Sequence, residues 1–178
     1  ECAVILASHY PTHSISHKVF ALLHIPSAQS GMHLAFTPLA AIGLTLSILG
    51  GLLRMYCFDT LGHFFTFDFC IRRDHKLITT GPYSIVRHPS YSGFIFAYIG
   101  MVLAHLTPGA LLTEYLTAFP GRFYVKEVMS IWFVLRAMRC AFWVPRSKEE
   151  DEGLKKTFGK EWVAWAARVK YRIIPGVI

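Results

Sequence analysis

The stretch TTGPYSIVRHPSYSGF, residues 79–94, concentrates side chains that do chemistry: Tyr83, Arg87, His88 and Tyr91, set among Gly81, Pro82, Pro89 and Gly93. Gly81-Pro82 predicts a fixed bend. A residue before proline avoids the helical region, so His88 is expected to be extended. Proline is tolerated at the first helical position, so Pro89 opens the next helix. The pattern predicts a rigid rim at a helix N-terminus, where backbone N–H groups and the helix dipole favour anions. A second charged run, RSKEEDE at 146–152, supplies Arg146 and Glu150. Together, 68–91 and 146–152 predict a polar site at a membrane edge, where ionisable groups are functional candidates by default. No Ser-His-Asp order, H-E-x-x-H pattern or Gly-rich phosphate loop is present. Cys2, Cys57, Cys70 and Cys140 have no zinc spacing. His9, His13 and His17 recur at i, i+4 without a carboxylate or thiol nearby, so no metal site is expected.

The elements that must position this rim are apolar. The chain has 178 residues, enough for one domain, and 53% of them are hydrophobic. Only 16% are charged, against about 25% in a typical soluble domain, and the mean hydropathy is +0.40. From Val19 to Leu53 there is no Asp, Glu, Lys or Arg, and a bilayer span needs only about 20 apolar residues. The expected fold is all-α, a multi-span integral membrane helical bundle. A first span is expected over 38–57, opened by Thr37-Pro38, with Gly43, Ser47, Gly50 and Gly51 small enough to admit another helix. A second runs over 91–106 and ends at Thr107-Pro108-Gly109. A third covers 123–144; Lys126, Glu127, Arg136 and Arg139 require one of its faces to meet protein, water or headgroups. Segments two and three are expected to form a hairpin. After Pro145 an amphipathic helix is expected, then an interruption at Gly159 and a second amphipathic stretch. Leu154, Phe158, Trp162 and Trp165 fall near helical spacing, so this tail is placed at the membrane interface, folded back on the loop. The chain thus divides into an N-terminal region with one clear span, 1–57, and a region carrying the chemistry, 58–178. It begins at Glu1 rather than Met, which fits a fragment or an imperfect gene model lacking an N-terminal helix.

The net charge is +7. Lys and Arg gather in a loop, with Arg54, Arg72, Arg73, Lys76 and Arg87, and in a tail from Arg146 to Arg172. Such clusters mark the cytosolic side of short membrane loops, which places loop and tail on that face. Nucleic acid is not expected as a partner, because Asp and Glu interleave with both clusters and no aromatic platform accompanies them.

The residues 79–94 resemble the G-x-Y-x-x-x-R-H-P-x-Y-x-G motif of the isoprenylcysteine carboxyl methyltransferase family. The run RSKEEDEGLKKTFGKEW is similar to that family's second block, R-x-x-x-E-E-x-x-L-x-x-x-F-G-x-E-Y. The resemblance covers about residues 60–178, and a fungal-like member is expected. Related phospholipid N-methyltransferases and sterol reductases carry similar R-H-P-x-Y sequences. The resemblance implies methylation of the C-terminal carboxylate of a prenylated cysteine, with S-adenosylmethionine (SAM) as cofactor. It implies a multi-pass protein of the endoplasmic reticulum membrane with its site facing the cytosol. Prenylated CaaX-type proteins or prenylcysteine are the implied partners, beside the lipid bilayer. SAM contacts carry over to His75, Lys76, Leu77 and Ile78, to Tyr83, to His88, Pro89, Ser90 and Tyr91, and to Glu150. The arginine that meets the substrate carboxylate falls on Arg146. A further polar family position falls near Asp68. Two departures stand out: Asp151 replaces the second Glu of the Glu-Glu pair, and Trp162 replaces the Tyr after F-G-x-E. The alternatives are a phospholipid N-methyltransferase, a reductase, and a non-catalytic membrane scaffold.

Overall fold

In the computed structural model, residues 2–22, 33–66, 75–118 and 123–177 are described. They form helices joined by short connections, and among the described residues there is no β-strand. The α-helices are α1 (Cys2–His9), α2 (Ser14–Leu22), α3 (Pro38–Leu61), α4 (Pro89–His105), α5 (Leu111–Ala118), α6 (Phe123–Phe158) and α7 (Lys160–Arg168). Two 3-10 turns lie at Gly62–Phe64 and Gly81–Ser84. The loop positions Asp68, Cys70, Arg72 and Arg73 fall outside the described residues.

The chain divides into two compact units, Glu1–Leu46 with Ile99–Val134, and Ser47–Tyr98 with Leu135–Ile178. In the first, α1 and α2 pack through Val4, Ala7 and Phe20, with Leu34 and Leu111 against them. The Glu114 carboxylate accepts from the N–H groups of Gly109 at 2.9 Å and His33 at 3.1 Å. It thereby satisfies two backbone donors with one charged acceptor. Thr37 opens α3 as expected: its Oγ1 accepts from Ala40 N at 3.2 Å, with Pro38 at the first helical position.

The second unit holds the site. There α3 and α4 approach through small residues. A Cβ on Gly50 would lie 2.5 Å from Gly93 O, and Ser47 Oγ donates to Ala97 O at 3.1 Å. In the first unit Gly43 meets α4 in the same way, 2.6 Å from Gly100 O. Gly51 faces open space, so only part of the expected small-residue set makes contact.

Two boundaries differ from expectation. The first span runs on to Leu61, not 57. More consequential, α6 passes through Pro145 unbroken for 36 residues. Proline removes one N–H, the one that would reach Ala141 O, and its ring crowds that carbonyl. The next turn compensates locally: Ser147 Oγ donates to Val144 O at 2.7 Å, and Arg146 pairs with Glu150 at i, i+4. At 1.5 Å per residue α6 is about 54 Å long, beyond the ~30 Å of a bilayer core.

Among the described residues two helical stretches are long and apolar enough to cross a membrane, Pro38–Phe64 and Glu127–Phe158. The second expected segment, 91–106, corresponds to α4, which at 17 residues sits at the short end of the range and is not one of these two. None of the most apolar window of α6, and only 17% of that of α3, is buried within the protein. Ile42, Leu49 and Leu52 on α3, and Ile131, Leu135 and Met138 on α6, are all more than half exposed. Apolar surface of that extent suits lipid contact. The two stretches are accordingly candidate membrane spans in an all-helical protein.

Candidate functional site

The rim forms, and the tail holds it. Gly81 takes φ of 58°, a left-handed conformation open to glycine at no steric cost. This lets Pro82 and Tyr83 turn inward, where both are buried. Arg87 N then donates to Tyr171 O at 3.0 Å and His88 N to Arg172 O at 2.7 Å. These bonds fix His88 in place just before Pro89 starts α4. Ser92 Oγ adds a bond to Ile173 O. Behind the rim Trp165, 2% exposed, donates from Nε1 to Tyr83 O at 3.1 Å. Trp165 belongs to a buried cluster with Cys57, Tyr83 and Val169, against which Trp162 packs. The tail thus folds back on the loop, with Trp162 and Trp165 of α7 and Val169 just past its end facing the cluster.

Charged groups from the two sequence blocks meet here. Arg87 Nε donates to Asp151 Oδ2 at 3.0 Å, and one terminal nitrogen donates to Val169 O at 2.7 Å and Lys170 O at 2.9 Å. The His88 ring lies between two carboxylates, Nε2 at 3.1 Å from Asp151 Oδ1 and Nδ1 at 3.4 Å from Glu150 Oε2. Tyr91 OH donates to Glu150 Oε1 at 2.6 Å, and Arg146 Nε to the same oxygen at 3.0 Å. Burial opposes a charge on His88, but its hydrogen bonds to Asp151 and Glu150 outweigh burial and raise its pKa above the ordinary value. Burial, with the nearby Cys57 thiol, pushes the Tyr83 phenol up, so Tyr83 stays neutral.

Beside this network lies an open cleft, with about 1070 Å³ of space between its walls when the solvent at its mouth is counted. Its lining includes the polar side chains of Arg54, Arg87, His88, Tyr91, Arg146 and Glu150. It also includes apolar side chains, among them Phe58, Leu61, Phe64, Phe65, Leu77 and Leu154. Of the residues expected at a site, His75, Lys76, Leu77, Ile78, Tyr83, His88, Ser90, Tyr91, Arg146 and Glu150 all line this cleft. Pro89 does not; it is fully buried at the start of α4.

Three participants were missed by sequence reasoning. Arg54 on α3 lines the cleft, donates to Ser90 O at 3.2 Å and lies over the rings of Phe58 and Phe94 at 5.3 and 5.4 Å. Among the described residues it has no carboxylate partner. A single cation directly following an uncharged apolar run was a usable signal. Asp151, treated as a conservative departure, is 7% exposed and anchors both Arg87 and His88. Trp143 on α6 lines the cleft and stacks on Tyr91 at 4.6 Å. Nothing in its spacing marked it off from the other aromatic residues of that helix.

Comparison with known proteins follows the same lines. The model of the isoprenylcysteine carboxyl methyltransferase (ICMT) family matches residues 41–129. That stretch contains the rim and ends before Arg146. The chain is 36% identical over 129 residues to protein-S-isoprenylcysteine O-methyltransferase B of Arabidopsis thaliana, covering 71% of this chain and 55% of that protein. It is 41% identical over 73 residues to the protein-S-isoprenylcysteine O-methyltransferase of Saccharomyces cerevisiae, covering 40% of this chain and 30% of that protein. The rat protein of the same name is 29% identical over 137 residues, 75% of this chain and 40% of its own. The chain spans about half the length, or less, of the curated relatives it matches. Plant, yeast and animal proteins all match, and the plant alignment is longer than the yeast one, so a fungal subtype gains no support. No solved structure matches. With half of its residues matched by the family model, and with both sequence blocks converging on one cleft, the chain belongs to the isoprenylcysteine carboxyl methyltransferase family.

Proposed function

We propose that this protein methylates the C-terminal carboxylate of a prenylated cysteine, using SAM. The observation that carries this reading is one cleft lined both by arginines and a carboxylate, Arg54, Arg87, Arg146 and Glu150, and by apolar side chains, Phe58, Leu61, Phe64, Phe65, Leu77 and Leu154. Such a cleft suits a ligand that is an anion at one end and a hydrocarbon at the other.

The donor set fits SAM. Glu150 offers a carboxylate to an amino group or ribose hydroxyls. Tyr83, Ser90, Tyr91 and the segment from His75 to Ile78 line the cleft with aromatic, hydroxyl and apolar surface, and aromatic faces attract cationic centres. His88 acts through Glu150 and Asp151, holding the cofactor-side carboxylate in place; Pro89 orients the helix that carries Ser90 and Tyr91. When bound, SAM supplies an electrophilic methyl group on a positively charged sulfur.

The rest is done by the chain. An α-carboxylate with a pKa of about 3.5 is already ionised near neutrality, so no general base is needed. What is needed is orientation and removal of water from the carboxylate. Arg146 is assigned to the carboxylate, because a guanidinium can grip it through parallel hydrogen bonds. Arg54 is a second cation lining the cleft. The apolar side chains receive the prenyl chain and exclude water.

The proposed setting is the endoplasmic reticulum membrane, crossed more than once, with the cleft facing the cytosol. Basic residues in the tail, Lys155, Lys156, Lys160 and Arg168, support that orientation. Prenylated CaaX-type proteins are the proposed partners. The test is methyl transfer from labelled SAM to N-acetyl-farnesylcysteine in membranes containing this chain. Base-labile methyl ester, lost on Arg146→Ala, is expected. SAM binding without ester, with label passing to phospholipid instead, would move the assignment to a lipid amine acceptor. No SAM binding would leave a scaffold or a reductase.

A further inference from the structure

Four side chains stand in a column beside Glu150. The rings of His88 and Tyr91 stack with centroids 5.5 Å apart and planes 11° apart. Tyr91 stacks on Trp143 at 4.6 Å and 21°. The guanidinium carbon of Arg146 lies 5.5 Å from the centroid of the Trp143 ring. Three members of the column bond to Glu150: His88, Tyr91 and Arg146. Trp143 does not. Its Nε1–H is buried and, among the described residues, has no hydrogen-bond acceptor. A buried donor left unsatisfied argues that the position serves through the ring and not through its polar atom.

What the ring touches is Arg146, three residues further along α6 and so on the same face of the helix. Indole is the strongest of the aromatic partners for a cation. An arginine side chain has many rotamers, and holding it in one costs entropy. Here Glu150 holds it at Nε, Tyr91 shares a side-chain hydrogen bond with it, and the indole lies over its plane. The hydrogen bonds fix where its donors point, and the ring contact restrains the tilt of its plane.

We infer that Trp143 is a positioning residue for Arg146: its ring sets the plane of the guanidinium in the cleft. An anionic group entering there meets a cation already oriented. That the anion is a prenylcysteine carboxylate rests on the proposed function; the Trp143–Arg146 coupling does not.

The test separates the two. The Arg146 Nε–H signal is followed by ¹⁵N NMR of the full chain in detergent micelles, assigned with Arg146→Lys. The wild type is expected to show an upfield ring-current shift and slow exchange with water. Trp143→Phe keeps a π face and retains most of both. Trp143→Leu and Trp143→Met fill the space without one and lose both; two such variants guard against one failing to fold. In the methyl-transfer assay Leu or Met raises KM for N-acetyl-farnesylcysteine by about five- to tenfold, the scale of a partly desolvated cation–π contact, while KM for SAM and kcat hold. Combined with Arg146→Lys, they add little further loss, because the coupled partner is already altered. An Arg146 signal unmoved by Leu and Met, or losses that multiply in full with Arg146→Lys, overturns the inference. A wild type with the shifted signal but no ester keeps the positioning role and overturns only the proposed acceptor.

Discussion

Arg87 and Asp151 lie 64 residues apart in sequence, yet Arg87 Nε donates to Asp151 Oδ2 at 3.0 Å, with both side chains about nine-tenths buried. The pair joins the rim to α6, and through Val169 O and Lys170 O the same guanidinium also ties in the tail. Removing one partner of such a pair leaves the other charge buried and uncompensated. Asp151→Ala is expected to destabilise the protein by about 3–5 kcal/mol. Asp151→Glu, the residue usual in the family block, should lose far less. Thermal unfolding in detergent, read by near-UV circular dichroism, checks both; equal losses would show that charge at this position is not what matters.

His88 makes stability depend on pH. Its folded pKa is raised, so the protonated ring contributes stability that is fully present below its unfolded value of about 6.5 and is lost as pH rises through the folded value. Deprotonation also uncovers the repulsion between Glu150 and Asp151. The wild-type melting temperature should therefore fall on the alkaline side of 6.5, and His88→Gln should flatten that limb. Melting curves across pH 6 to about 9 decide it; a limb unchanged in His88→Gln would remove His88 as its source.

Arg54 is predicted to matter for activity more than for folding. Among the described residues its hydrogen bond is to Ser90 O, and no carboxylate pairs with it. Arg54→Ala should lower kcat/KM for a prenylcysteine substrate by about 10² or more, the scale of removing a charged hydrogen-bond donor from a dry site. Arg54→Lys should recover only part, since an ammonium lacks the planar fork. A methyl-transfer assay beside a melting curve separates lost catalysis from lost fold.

Gly50 is predicted to resist substitution. A Cβ there would lie 2.5 Å from Gly93 O and 2.6 Å from Ala97 N, both backbone atoms that move only with the helix. Gly50→Ala should cost about 1–3 kcal/mol through overpacking. Gly51→Ala meets nothing and should be neutral or mildly stabilising through helix propensity. Side-by-side thermal melts test this; equal effects would mean α3 and α4 do not approach at Gly50.

Trp165 joins the tail to the rim by both area and a hydrogen bond. Trp165→Ala empties a site 2% exposed and strips Tyr83 O of its donor. The expected loss is about 3–5 kcal/mol, with SAM binding weakened because Tyr83 lines the cleft. Calorimetric titration with SAM measures it. Binding unchanged in a folded variant would separate the tail from the site.

Much of this protein is determined by local sequence. Apolar runs, Thr37-Pro38, Gly81-Pro82 and Pro89 fix where helices and turns begin, because those constraints act within a few residues. The rim residues Tyr83, Arg87, His88 and Tyr91 were also legible, since glycine, proline, charge and aromatic groups crowd into that short block; His75 to Ile78, Arg146 and Glu150 were singled out through the family resemblance. The tertiary structure decided the rest. Pro145 reads as a helix end, but the pairing of Arg146 with Glu150 and the bond from Ser147 carry α6 past it. Asp151 reads as a conservative departure from the second Glu of the Glu-Glu pair; burial between Arg87 and His88 makes it the anchor of the rim. Arg54 and Trp143 read as the edge and the filler of apolar helices. They face the cleft only because α3, α4 and α6 pack together at the level of Tyr91, a long-range juxtaposition that no local pattern encodes.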